Sequence, residues 1–196
     1  MRIQVREESI SALPDYSELP QRLTVRERFI VVPIGDGTWG LALELETVAP
    51  PFVKDYDRDN GHGPQGWAAQ WDLSNWGVLA AFDGPIRIGG ALIAWDTPGI
   101  QILDGNVDRA LLWDIQVHED CQRKGVGSAL FSAAVQWAKA KGCKSMMAET
   151  QNINVPACHF YESQGCRLAS IDPFAYPDHP EEVRLVFRLE LRDRDG

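Results

Sequence analysis

Apolar and polar positions along the chain change period several times, and each change marks an element. "TVRERFIVVPIG" and "GTWGLALELETV" read as strands separated by the turn residues Gly35, Asp36 and Gly37. "WGVLAAFD" and "RIGGALIAWD" form a hairpin pattern around Gly84 and Pro85, and "RALLWDIQVH" reads as a buried strand. From about Val126 to Lys141 the apolar residues Val126, Leu130, Ala133, Ala134 and Trp137 recur at helical spacing. Gly142 follows the last turn, where Lys139 and Lys141 suit the negative helix end. "KSMMAETQ" is another strand. "VPACHFYESQG" is a short helix with Pro156 near its start and Gly165 past its end. "CRLASID" and "VRLVFRLEL" close the chain as strands. The second half therefore runs strand, helix, strand, helix, strand, strand. This order predicts an α/β (α+β) fold, a mixed central sheet of about six or seven strands flanked by helices.

Two segments fit no period. Residues 1–23 carry Pro14, Pro20 and mixed polarity, and are read as an N-terminal arm without committed structure. "APPFVKDYDRDNGHGPQGWAAQW" is rich in Pro, Gly and Asp and long for a connection, as functional loops often are. A short helix is expected near Trp67–Trp71, and Trp67, Trp71 and Trp76 are read as core.

At 196 residues the chain suits one compact domain, 1–196. Its net charge of −9 and pI near 4.9 argue against general nucleic-acid binding; taken alone the acidity reads first as serving solubility, and otherwise as favouring a cationic partner. No apolar run reaches the ~18 residues of a membrane span, and "MRIQVREESI" has no apolar core of a secretory signal. Cys121, Cys143, Cys158 and Cys166 form no C-x-x-C pair and read as reduced thiols of a cytoplasmic protein, with no metal expected. The oligomeric state is left open, a homodimer included.

Against this acidic background "CQRKGVGSAL" stands out. Arg123 and Lys124 directly precede Gly125, Gly127 and a helix-forming run. The first N–H groups of a helix lack intrahelical partners, and glycines let a ligand approach the backbone. Such a turn binds a phosphate or pyrophosphate, or else simply joins strand to helix tightly. The Walker pattern G-x-x-x-x-G-K-[ST] is absent. Leu130 occupies the place of the third glycine of a dinucleotide fingerprint. The form present is Q/R-x-x-G-x-G, with Gln122, Gly125 and Gly127.

Residues 110–165 resemble the core of the GNAT superfamily of acyl-CoA-dependent N-acetyltransferases. The shared pattern is a strand, the Q/R-x-x-G-x-G/A loop, a helix, a strand, then Asn-x-x-Ala-x-x-x-Tyr, here Asn154, Ala157 and Tyr161. "DIQVHEDCQRKGVG", "ETQNINVPACHFYESQG" and "ETVAPPFVKDYD" together are similar to streptothricin acetyltransferases, which share Pro-Pro-x-x-Lys and Asn-x-Asn-x-Pro-Ala segments. These relatives commonly carry Glu-Asp where this chain has Trp113 and Asp114, so a carboxylate on the acceptor side is missing. The resemblance implies acetyl-CoA as co-substrate and splayed strands around it. Its pyrophosphate would lie on Gln122, Arg123, Lys124, Gly125, Val126, Gly127 and Ser128. Main-chain groups of Ile115, Gln116 and Val117 would hold the pantetheine arm and thioester oxygen, and Asn154 and Ala157 would lie along the same arm.

The implied chemistry sets further demands. A primary amine with pKa near 10.4 is almost wholly protonated at neutral pH, so the site must accept a proton. Asp114 and Glu149 are the candidate bases; either could instead bind the substrate ammonium. Tyr161 is the candidate general acid for the departing thiolate, or a core tyrosine, and Asn154 suits a helix N-cap equally well. Cys158 lies beside His159 in sequence, and adjacent helix residues do not face one another, so covalent catalysis is not expected. Asp55, Asp57 and Asp59 mimic a calcium loop, but glycine arrives one place late at Gly61 and Gly66 stands at the twelfth position. They suit an acidic lip for a polycationic acceptor. The sequence thus predicts an acetyltransferase for a small cationic amine, favoured as a streptothricin-type antibiotic. A polyamine or protein amine as acceptor, and a non-catalytic acetyl-CoA-binding module, are the rivals.

Overall fold

The computed structural model of the chain describes residues 1–18, 21–36, 40–56 and 63–191, without the side chains of 63–65. In chain order the strands are β1 (Ile3–Glu8), β2 (Arg22–Pro33), β3 (Leu41–Asp55), β4 (Gly77–Asp83), β5 (Ile86–Trp95), β6 (Arg109–Val117), β7 (Ser145–Gln151), β8 (Arg167–Asp172) and β9 (Arg184–Glu190). The α-helices are α1 (Leu13–Tyr16), α2 (Gly63–Gln70), α3 (Val126–Ala140) and α4 (Val155–Ser163). A mixed seven-stranded sheet has the order β1-β4-β5-β6-β7-β9-β8, while β2 and β3 pair separately.

The chain divides into two compact units. The first comprises Met1–Gln21, Tyr56–Met147 and the described residues from Leu189. Its centre is the antiparallel run β1-β4-β5-β6, where "VLAA" of β4 and "ALIA" of β5 are buried almost completely. Near-continuous apolar strands of this kind need cover on both faces. Helix α3 covers one face with Val126, Leu130, Phe131, Ala134, Trp137 and Ala138, a single helical stripe. Gly89 sets how close the helix lies. A Cβ there would stand 2.7 Å from the Gln116 carbonyl oxygen and 3.2 Å from Val126 Cγ1.

Residues 1–23 are not the uncommitted arm expected from sequence. Ile3–Glu8 adds an edge strand to β4, and Leu13–Tyr16 forms a helical turn that buries Tyr16 completely. The polar residues Gln4, Arg6 and Glu7 mask the strand period because an edge strand tolerates charge. Tyr16 has room only because residue 90 is glycine: a Cβ there would stand 2.6 Å from its ring.

The second unit is Arg22–Asp55 with Ala148–Arg188. The β2–β3 ribbon is tied to the turn after β7 by Asn152. The Asn152 side chain donates to the Phe29 carbonyl (2.8 Å) and accepts from the Val183 N–H (2.8 Å), and the Phe29 N–H donates to the Asn152 carbonyl (2.9 Å). Lys54 of the Pro-Pro-x-x-Lys segment forms a buried ion pair with Glu182 at 2.7 Å.

Candidate active site

In the first unit, the loop before α3 has the shape its sequence suggests. Arg123 (φ 58°) and Gly125 (φ 86°) both adopt left-handed conformations on either side of Lys124. Alternation of this kind turns successive N–H groups toward one point, a concave anion site. Gly125 is the N-cap and offers no side-chain cap, and a Cβ on it would meet nothing within 4 Å. The helix therefore opens without a side-chain cap from its N-cap residue. Arg123 and Lys124 are exposed; Lys124 Nζ donates to the Asp120 carbonyl (2.7 Å), and Gln122 Nε2 to the Val117 carbonyl (3.3 Å). Lys124 and Gln122 thus brace the loop. These residues fit a pyrophosphate.

Ile115, Gln116 and Val117 are paired with Ala91, Gly90 and Gly89 of β5. The register shifts just before them: Asp114 faces Leu92 and Leu112 faces Ile93, so Trp113 is the extra residue of a bulge in β6. The bulge commits Trp113 to an aromatic cluster, with ring centroids 4.8 Å from Trp71, 5.0 Å from Trp76 and 5.8 Å from Trp67. Trp76 is buried, whereas Trp67 and Trp71 are half-buried. Asp114 is held firmly. Its Oδ2 accepts from Tyr16 Oη (2.8 Å), Gln21 Nε2 (2.8 Å) and Gln116 Nε2 (2.5 Å).

In the second unit Glu149 lies on β7, with Gln151 on the same face. Tyr176 Oη donates to Glu149 Oε1 at 2.8 Å, and Gln151 Nε2 donates to Tyr176 Oη at 3.3 Å. Burial raises the Glu149 carboxyl above its ordinary value; the Tyr176 hydroxyl and the Arg184 guanidinium pull it partly back, and Asp172 pushes it up again. A carboxylate so raised is a better proton acceptor near neutrality. Burial and the Glu149 charge raise the Tyr176 phenol, so it stays a neutral donor. Sequence reading missed Tyr176, which sits among prolines in "FAYPDHP" and has no periodic signal.

Asn154 caps α4, its Oδ1 accepting from the Ala157 N–H at 3.2 Å. Tyr161 is buried on the same helix, its ring 5.6 Å from that of Phe187. Burial and the nearby Glu162 push the Cys158 thiol up to about 12, which leaves almost no thiolate at neutral pH. Of the expected acidic lip, Asp55 is paired with Arg22 at 3.0 Å, and Asp57 and Asp59 lie outside the described residues. His179, Glu181 and Glu182 bring ligand atoms within 4.8 Å of one another, but Glu182 is already engaged by Lys54.

The chain belongs to the acetyltransferase (GNAT) family, whose sequence profile matches residues 44–166. Among relatives, streptothricin acetyltransferase A of Bacillus subtilis (strain 168) is 42% identical over 71 residues, which is 36% of this chain and 41% of that protein. A streptothricin acetyltransferase of Escherichia coli is 28% identical over 176 residues, 88% of each chain. Among solved structures, a Bacillus anthracis str. Ames protein assigned as a streptothricin acetyltransferase, in complex with acetyl coenzyme A, is similar with a TM-score of 0.72. It is 25% identical, over 97% of this chain and 99% of that one.

Proposed function

We propose that the whole chain acts as one domain that transfers the acetyl group of acetyl-CoA directly to a primary amine of a streptothricin-type antibiotic. The observation that carries the acceptor is the match to a streptothricin acetyltransferase along 88% of both chains. The anion turn at Gly125 supports the donor, which supplies the acyl thioester when bound. The backbone from Gln122 to Ser128 would hold its pyrophosphate and the main chain of Ile115–Val117 its pantetheine arm.

Glu149 takes the proton of the substrate ammonium, because its Oε1 is held and its burial favours the protonated form. Asp114, with three donors on one oxygen, serves as fixed negative charge for the cationic acceptor rather than as base. Tyr161 gives its hydroxyl proton to the departing thiolate as general acid. Direct transfer is favoured over an acyl-enzyme because Cys158 is held as a thiol. Free thiols throughout suit a cytoplasmic setting, and among the described residues no helix is long and apolar enough to cross a membrane.

Gly127→Val tests the donor site. Valine is the better helix former by a few tenths of a kcal/mol, so the fold should hold. Its branched side chain at the second residue of α3 should obstruct the pyrophosphate. Calorimetric titration should show acetyl-CoA affinity reduced by roughly 100-fold, on the scale of several lost charge-assisted hydrogen bonds. Unchanged affinity removes the loop from the donor site.

Tyr161→Phe preserves the ring packed on Phe187 and deletes the hydroxyl. The turnover number should fall by about 10²-fold with little change in KM for acetyl-CoA. Wild-type turnover returns Tyr161 to a packing role. For the acceptor itself, initial rates over streptothricin, an aminoglycoside, a polyamine and an N-terminal peptide decide. Streptothricin should give the highest kcat/KM; a polyamine or peptide in first place overturns the assignment.

A further inference from the structure

We propose that Tyr176 is a positioning residue for the base. Carried by the segment between β8 and β9, it clamps one oxygen of Glu149 and leaves the other to receive the ammonium proton. This rests on the reading of Glu149 as the base. Four observations carry it. Glu149 Oε1 accepts the Tyr176 hydroxyl at 2.8 Å, whereas Oε2 takes no hydrogen bond among the described residues. Gln151, two residues along the same strand face, donates to Tyr176 Oη at 3.3 Å and so fixes the direction in which the phenol proton points. A phenol whose oxygen is already an acceptor is a polarised, better donor. The strands that precede and follow the Tyr176 segment in the chain supply the remaining charges that act on Glu149: Arg184 at the start of β9 and Asp172 at the end of β8, paired with each other at 2.8 Å and acting in opposite directions.

The arrangement differs from that of Asp114, where three donors converge on a single oxygen. One donor on Glu149 fixes the carboxylate plane without satisfying the charge, which suits a group that must gain and lose a proton in each cycle. Because burial keeps Tyr176 protonated, the clamp does not itself titrate in the working range. Its loss leaves the charged form of Glu149 with one fewer hydrogen bond, and the carboxyl should bind its proton more tightly.

The experiment is kcat/KM for the acceptor amine against pH, at saturating acetyl-CoA, for wild type, Tyr176→Phe and Glu149→Gln. Carbon-13 NMR titration of the Glu149 carboxyl in wild type and Tyr176→Phe accompanies it. In Tyr176→Phe the ascending acidic limb should move to higher pH by about one unit, with the alkaline plateau retained and acetyl-CoA affinity unchanged. The carboxyl titration should move by the same amount. A merely structural role would lower the profile at every pH without displacing the limb. If the limb and the carboxyl titration of Tyr176→Phe coincide with wild type, while Glu149→Gln loses that limb, the positioning role is overturned and the base reading stands. If Glu149→Gln keeps the wild-type limb, the base reading itself falls, and the positioning role with it. Gln151→Leu, which removes the donor behind the phenol, should shift the limb in the same direction by less; a shift the other way also counts against the clamp.

Discussion

Glu149→Gln is expected to lower kcat/KM for the acceptor amine by about 10²- to 10⁴-fold, the range of a general base, without lowering the melting temperature at neutral pH. The two effects have one cause. Burial raises the folded-state pKa of Glu149 above its ordinary 4.5, so the native state binds this proton more tightly than the unfolded chain does. The group's contribution to stability is therefore complete below that ordinary value and lost as pH rises through the raised one. Glutamine keeps the size and an oxygen to accept the Tyr176 hydroxyl while removing the titration. Thermal melts from acid to neutral pH should show the variant gaining on wild type as pH rises. Activity is given up for no loss of fold, the usual pattern where function requires a strained or desolvated group. A variant that is fully active would remove Glu149 from the chemistry.

The largest effect on folding is expected at the buried ion pair of the same unit. Lys54→Met should destabilise the chain by about 3–5 kcal/mol, because it leaves the Glu182 carboxylate buried without the ammonium 2.7 Å away. At roughly 2–4 °C per kcal/mol for a chain of this size, the melting temperature should drop by roughly 6–20 °C. The double variant Lys54→Met, Glu182→Leu removes the orphaned charge and should recover much of the loss, since apolar replacement of a buried pair is often close to neutral. Melts of the single and double variants check this. A double variant less stable than the single would show that the pair is net stabilising beyond mutual neutralisation.

What could be read from sequence follows the range of the interactions involved. Helix α3, β7 and α4 were legible because their periods and terminators are local: the stripe from Val126, the Gly142 stop, and Asn154 with Pro156 at the start of α4. The left-handed turn before α3 was legible because its requirement is for backbone, and glycine in sequence reports backbone directly. Strand β1 was hidden by the charges an edge strand admits. The partners of Asp114 were hidden by distance along the chain: Tyr16 is 98 residues away and Gln21 93. Tyr176 is 27 residues from Glu149, in a segment without period. The bulge at Trp113 leaves no trace in an apolar run, since "LLW" reads equally well with or without an inserted residue. One signal was present but unused. The pair Gly89-Gly90 inside a strand pattern marks close approach on both faces, and Val126 and Tyr16 supply it.

The most direct test of the central claim is a stoichiometric one. The purified chain is mixed with acetyl-CoA and a streptothricin, released thiol is followed continuously, and the antibiotic and the protein are both weighed by mass spectrometry. The account predicts one thiol released for each acetyl group gained by the antibiotic, with the acetyl on an amine nitrogen and none on the protein. Thiol released without acetylated antibiotic, or an acetylated Cys158, would contradict it.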